Sequence, residues 1–454
     1  MNRIAGRSAI VLLLCLLLVA GAAFFVAEFV SEADEWVVFP GSPHLYNGGN
    51  IGCGTVVDME GKLLLDLKDG RTYSNNRALR ESTVHWVGDI QGRINAPALS
   101  TYAAQLAGFD LVNGVYGYGK IGGTATLTLS SSAQMAALEA LEGHSGTVAV
   151  YNYKTGALLC AVTTPTFDPY SAPDSESAED GIYFNRFIQS AYTPGSIFKI
   201  VTLAAALEEG GFEEESYFCD GGYEVDGETI SCDGIHGDQD LKTAFRNSCN
   251  CAFAQIALSL GPEKLQRYMD KFGVTGQLEF DGVTTVGGNF DLSGAKDFEV
   301  GWSGIGQYTD QMNPCAFLTF VGALASEGRG AQPFLVQKVE SGSLSSYKAD
   351  PQLGKRIVSA STAETIQEYM RANVSEKYGD DYFPGLNVCA KTGTGEVGGG
   401  KKPNATLSGF VTDEAYPFAF VIFIEDAGYG GSVCLPIASK VLAACKLAVD
   451  TYGQ

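Results

Sequence analysis

Tyr192-Thr193-Pro194-Gly195-Ser196-Ile197-Phe198-Lys199 runs directly into the apolar segment Ile200-Val201-Thr202-Leu203-Ala204-Ala205-Ala206-Leu207. Pro194 and Gly195 interrupt whatever precedes them, and the residues that follow read as a mostly apolar helix. Ser196 then falls in the first turn, where unpaired backbone N–H groups favour developing negative charge. Lys199, three residues on, shares its face. A hydroxyl and an amine held side by side at a helix start suit a nucleophile and its base.

Ser-x-x-Lys by itself is weak evidence, because a chain of this length contains roughly one or two by chance. Ser293-Gly294-Ala295-Lys296 and Ser345-Ser346-Tyr347-Lys348 are two such copies, both in polar or Gly-containing segments with no long apolar helix behind them. They read as solvated loops.

The chain has 454 residues, enough for two to three domains, and a net charge of −22. That charge argues against nucleic acid as a partner and against a polybasic membrane face. The four histidines, His44, His85, His144 and His236, are far apart in sequence, and no His/Cys/acid cluster has zinc-site spacing. No metal and no cofactor is therefore expected. The 11 cysteines are odd in number and scattered, which is not a disulfide framework. Cys219 and Cys232 bracket a Gly-rich loop and are the one candidate pair. Cys249 and Cys251 flank Asn250 and read as packing residues.

Residues 1–8 carry Arg3 and Arg7 and read as a cytoplasmic tail. Residues 9–30 are apolar except for Glu28, long enough to span a bilayer. The arginines before this segment, and Glu32, Asp34 and Glu35 after it, put the N-terminus in the cytoplasm and the rest outside. Ala20-Gly21-Ala22 allows a cleaved signal peptide as the rival reading, but the apolar stretch is long for one. Residues 31–123 read as a small extracytoplasmic spacer or docking domain, with two strands around a Gly turn in Val56–Leu65. Residues 124–454 read as a larger second domain.

Within that second domain, strand-like Ala125–Leu129 precedes a helix over Ser132–Leu141 and a hairpin, Thr147–Tyr153 and Ala157–Val162, turning at Lys154-Thr155-Gly156. Apolar residues on both arms suit the centre of a sheet. Ser248 and Asn250 fall at a junction between a helix ending near Asn247 and an apolar helix from Cys251 to Leu260. Another apolar helix covers Ala316–Ala325. A strand over Leu386–Ala390 runs into Lys391-Thr392-Gly393-Thr394-Gly395-Glu396. Ala405–Val411 and Phe418–Ile424 read as adjoining antiparallel strands, and Leu435–Val449 as a closing amphipathic helix. No internal repeat is visible.

Ser196-x-x-Lys199, Ser248-Cys249-Asn250 and Lys391-Thr392-Gly393 are each common by chance. The chain itself holds a stray Ser74-Asn75-Asn76 and a stray Lys154-Thr155-Gly156. Their order, with each member in fitting local structure, is what is specific. That ordered set is the signature of β-lactamases and penicillin-binding proteins. From Thr124 onward the chain resembles the penicillin-binding transpeptidase domain. The anchor and the small extracytoplasmic unit make it similar to class B penicillin-binding proteins. Tyr153–Ala157, Phe167-Asp168-Pro169, Asn185-Arg186 and Gly304-Ile305-Gly306-Gln307 add to the likeness.

The resemblance implies an α+β fold: a central antiparallel five-stranded sheet flanked by helices, plus an all-helical subdomain. It implies a D,D-transpeptidase that cross-links peptidoglycan through a serine acyl-enzyme and is inhibited by covalent β-lactam binding. Ser196 would be the nucleophile, Lys199 its base, and Ser248 the proton relay. Asn250 would orient Lys199. Lys391 would tune the site and, with Thr392, Gly393 and Thr394, bind the substrate carboxylate and oxyanion. Expected partners are stem peptides, β-lactams, the membrane through the N-terminal helix, and a separate membrane glycan polymerase.

Three other readings share this chemistry: a D,D-carboxypeptidase, a β-lactamase, and a non-catalytic β-lactam sensor or scaffold. A β-lactamase needs neither anchor nor extra domain. A sensor needs more signalling apparatus than the residues before Ala9 supply. The motifs do not separate carboxypeptidase from transpeptidase, because they do not distinguish water from an amine as acceptor. Cys249 stands where other members carry Ser, Asp or Gly, at a position assigned no chemistry.

Overall fold

The computed structural model describes residues 2–38, 46–47, 50–68, 70–108, 122–174, 176–341 and 346–453. Ser345 of the stray Ser-x-x-Lys and His44 lie outside these residues. Among the described residues the centre is a five-stranded, wholly antiparallel sheet. Its order across is Val388–Gly395, Asn404–Val411, Phe418–Ile424, Gly146–Asn152 and Leu158–Thr164. The five-stranded antiparallel sheet that the sequence implied is thus present.

Residues alternate between the two faces of a strand, and a sheet covered on both sides is apolar throughout. Phe418–Ile424 shows this directly, because every residue in it is buried. Phe418, Phe420, Ile422 and Ile424 face a layer made by the helices Ser131–Ala140 and Gly430–Tyr452. Ala419, Val421 and Phe423 face the opposite layer, which holds Lys199–Glu209, Asn250–Leu260 and Pro314–Ala325. Gly430–Tyr452 is long and apolar enough to cross a membrane, yet it lies on the sheet as a core helix.

A second sheet of six strands takes the order Tyr347–Lys348, Val336–Glu340, Thr124–Leu127, Thr55–Val57, Leu63–Asp66 and Thr72–Tyr73. Thr55–Val57 pairs in parallel with Thr124–Leu127. The domain boundary expected near Thr124 therefore falls inside a shared sheet. Side chains fasten the same junction. The Arg80 guanidinium lies 2.5 Å from Asp168 Oδ2, and Trp86 Nε1 donates to Ala161 O at 2.7 Å. Residues 50–108 are thus built onto the second domain rather than hung before it.

Asn2–Val37 is a single helix. The most apolar 18-residue window of its Ile4–Ala33 part has a mean hydropathy of 3.0, and none of that window is buried. An exposed apolar helix of that length fits a membrane anchor.

Candidate active site

Ser196 lies in a short 3-10 turn, Gly195–Phe198, that leads into the α-helix Lys199–Glu209. In a 3-10 turn residues i and i+3 eclipse. Lys199 Nζ accordingly lies 3.0 Å from Ser196 Oγ. The turn is pressed against the strand Val388–Gly395, and two glycines permit the approach. Gly195 has φ +59°, and a Cβ there would sit 2.2 Å from Thr394 O. A Cβ on Gly393 would sit 2.8 Å from the backbone nitrogen of Ile197. Real Cβ atoms do not come that close to backbone, so larger residues would push Ser196 and Lys391 apart.

The second motif is a helix–helix corner. Leu241–Asn247 ends at Ser248, whose φ of +58° is left-handed. Cys249 then caps Asn250–Leu260. A non-glycine residue in that conformation costs on the order of 1 kcal/mol, so its surroundings must hold it. They do: Lys199 Nζ donates to Ser248 O at 2.6 Å, Ser248 Oγ at 3.2 Å and Asn250 Oδ1 at 2.7 Å. Lys391 Nζ donates to Ser248 Oγ at 2.9 Å and to Thr392 O at 2.9 Å. The five residues singled out as catalytic thus form one hydrogen-bonded chain, Ser196–Lys199–Ser248–Lys391, with Asn250 on Lys199.

Lys199 and Lys391 are both buried, at 0% and 1% exposure. Their ammonium groups lie 5.8 Å and 5.9 Å from the ring centres of Phe253 and Phe245. Burial lowers the Lys199 pKa from 10.5 to about 8. It lowers that of Lys391 well below 10.5, and the neighbouring Lys199 and Lys377 push the same way. Lys377 is also lowered, by burial first and then by Arg246.

The cleft in front of this chain measures about 500 Å³ and is lined by Ser196, Ser248, Asn250, Thr392, Thr394 and Lys377, among others. Val388–Gly395 is the edge strand of its sheet. Thr392 and Thr394, two apart, are half-buried, whereas Gly393 between them is buried against the Ser196 turn. Gln307 Nε2 donates to Thr394 O at 3.3 Å, and Thr392 N donates to Tyr378 OH at 3.2 Å. An edge strand with three lysines nearby suits an extended, anionic ligand.

Tyr378 and Lys377 were not singled out from the sequence. They sit in a single π-helical turn, Val374–Tyr378, and nothing in their local pattern marks them. The stray copies stay apart from the cleft: Lys154-Thr155-Gly156 forms the hairpin turn, and Ser293 and Lys296 lie in exposed loop and helix-cap positions.

Comparison with known proteins agrees with this geometry. The family described as penicillin binding protein transpeptidase domain matches residues 146–443. The peptidoglycan D,D-transpeptidase PbpA of Mycolicibacterium smegmatis is 26% identical over 360 residues, covering 71% of this chain and 72% of that protein. Stage V sporulation protein D of Bacillus subtilis is 30% identical over 319 residues, covering 65% of this chain and 48% of that protein. A crystal structure of the D,D-transpeptidase domain of a peptidoglycan glycosyltransferase from Eggerthella lenta superposes with a TM-score of 0.76 at 26% identity, covering 88% of this chain and 99% of that one. The penicillin G acyl-enzyme complex of penicillin-binding protein A from M. tuberculosis has a TM-score of 0.74 at 23% identity, covering 87% and 99%, and shares the fold. With the family matched over most of its length, this chain belongs to the penicillin-binding protein transpeptidase family.

Proposed function

We propose that the chain is a peptidoglycan D,D-transpeptidase that works through an acyl-enzyme on Ser196. The observation that carries this is the 3.0 Å contact between Lys199 Nζ and Ser196 Oγ, with Ser248 Oγ bridging Lys199 and Lys391 at 3.2 and 2.9 Å. A serine hydroxyl is a poor nucleophile until its proton is removed. Lys199, depressed to about 8, holds a usable neutral fraction near neutral pH.

In the first half-reaction Ser196 Oγ attacks the carbonyl between two terminal D-alanines and its proton passes to Lys199. Ser248 relays a proton to the leaving amine, the peptide C–N bond breaks, and free D-alanine departs. Backbone N–H groups of Ser196 and Thr394 receive the oxyanion; one such donor is worth on the order of 3 kcal/mol of barrier. Asn250 orients Lys199. Lys391, Thr392 and Thr394 receive the terminal carboxylate, and Gly393 lets the strand lie against Ser196. In the second half-reaction an amine of a neighbouring stem peptide attacks the ester, forming the cross-link and freeing Ser196. A β-lactam enters the first half-reaction and stalls there.

The N-terminal helix anchors the chain, with Arg3 and Arg7 in the cytoplasm and residues 31–454 outside. Residues 31–123 serve as a docking unit and 124–454 as the catalytic domain. A separate membrane glycan polymerase supplies the strands to be joined. The test is a synthetic stem peptide offered with amine acceptors and read by mass spectrometry. A Ser196 acyl-enzyme followed by amide product is expected. Release of the shortened peptide to water alone would make the enzyme a carboxypeptidase, and fast turnover of penicillin would make it a β-lactamase.

A further inference from the structure

Beside the catalytic corner lies a group of side chains that the transpeptidase chemistry leaves unused. Cys219 ends the strand Tyr217–Cys219, Cys232 follows the strand Glu228–Ser231, and His236 precedes the strand Gly237–Gln239. Cys249 is the residue between Ser248 and Asn250. Their ligand atoms all lie within 4.8 Å of one another. His236 Nδ1 is 3.4 Å from Cys219 Sγ and 3.7 Å from Cys232 Sγ, and the sulfurs of Cys232 and Cys249 are 3.9 Å apart.

Those last three spacings are close to the edges of a tetrahedron around one small ion. Zinc bonds of about 2.3 Å to sulfur and about 2.05 Å to nitrogen set tetrahedral edges of about 3.8 Å for S–S and about 3.6 Å for S–N. A disulfide brings its sulfurs to about 2.05 Å, and all four sites carry separate side chains, with Cys219 and Cys232 unlinked. Two backbone N–H groups already point at the sulfurs: Asn250 N at 3.3 Å from Cys232 Sγ and Ala252 N at 3.5 Å from Cys249 Sγ. Such donors stabilise thiolates. Cys219 and Cys249 are buried, and the set offers three sulfurs and one imidazole, a ligand set of structural zinc sites, with the Cys251 thiol packed beside Cys219 and Cys232.

We propose that Cys219, Cys232, His236 and Cys249 bind one structural zinc ion, which clamps the 217–239 insert to the Ser248–Asn250 corner. The linear order hides this. Twelve residues separate Cys219 from Cys232 and His236 from Cys249, so no Cys-x-x-Cys marks the site, and the sequence expectation was no metal. Binding releases the three thiol protons to solvent as the thiolates form. The clamp acts where the corner is most demanding. Ser248 is left-handed, Asn250 Nδ2 donates to Ser231 O at 2.9 Å, and the insert reaches that corner through the ligands themselves. The four residues are positioning residues that hold Ser248 and Asn250 for Lys199.

The test uses the full chain in detergent. Metal content is measured by mass spectrometry after growth with zinc, and expected at about one zinc per chain. His236→Ala and Cys219→Ser should each bring it close to zero, while Cys53→Ser, outside the cluster, should keep it. Cobalt substituted for zinc should show the intense visible bands of tetrahedral thiolate ligation. Zinc-free wild-type protein, or a Cys219–Cys232 disulfide found by peptide mapping, would overturn the site. Stripping with a chelator should slow acylation by fluorescent penicillin about tenfold or more, with recovery on adding zinc chloride. Bound zinc whose removal leaves that rate unchanged would overturn the clamp. The metal measurement does not depend on the transpeptidase reading, so either can fail without the other.

Discussion

Lys154-Thr155-Gly156 and Lys391-Thr392-Gly393 are the same three residues in two places. The first turns a hairpin: Asn152 Oδ1 accepts from the backbone N–H groups of Lys154 and Thr155, and the Lys154 side chain is exposed. The second lies in an edge strand, its lysine buried and hydrogen-bonded to Ser248 Oγ at 2.9 Å. Burial and a neighbouring cation depress the pKa of Lys391, so its ammonium is costly and must be held by acceptors. Chemistry therefore belongs to the environment a tripeptide is folded into. The motif alone carries none.

The strongest challenge to this contrast is to remove what Lys391 is said to serve. Ser196→Ala should reduce penicillin labelling by at least about 10⁴-fold. Labelling that persists would move the nucleophile elsewhere and strip Lys391 of its role. Lys391→Ala should slow acylation about 10²- to 10³-fold, measured with fluorescent penicillin, since it removes one pre-set donor and leaves Ser248 short of a partner.

A pH profile sharpens the same contrast. With Lys199 depressed to about 8 and acting as the neutral base, the acylation rate should rise with pH and level off above about 8. Each pH unit below that should cost about tenfold. A lysine at its ordinary 10.5 would keep the rate climbing well past that point. Between about 8 and 10.5 the unfolded chain keeps a proton that folded Lys199 releases, so this group's penalty on folding shrinks as pH rises through that window. The smallest effect belongs to the hairpin copy: Lys154→Ala should leave acylation within about twofold of wild type. Equal losses from Lys154→Ala and Lys391→Ala would erase the distinction.

Much of the fold can be read from the chain because its strong elements are local patterns. The all-apolar run Phe418–Ile424 and the apolar centre Val148–Tyr151 of its neighbour announce a sheet covered on both faces. Asp240, Asn313 and Ser359 each accept a backbone N–H at the start of their helices, as residues of their type do. What escapes is non-local. The parallel pairing of Thr55–Val57 with Thr124–Leu127 joins residues about seventy apart, and neither segment encodes its partner. Lys377 and Tyr378 enter the cleft through a single π turn that no periodicity signals. The Cys219–Cys249 group is spread over the end of one strand, the loop between two others and a helix cap.

The amino-acid sequence by itself determined the elements and the order of three short motifs, because helix starts, turns and apolar alternation are set within a few residues. Tertiary structure alone decided that Ser196, Lys199, Ser248 and Lys391 share one hydrogen-bonded chain, and which Lys-Thr-Gly joins it. Those contacts cross up to 143 residues of chain. They exist because Gly195 and Gly393 let two backbones meet and because packing against Phe245 and Phe253 takes both ammonium groups out of water.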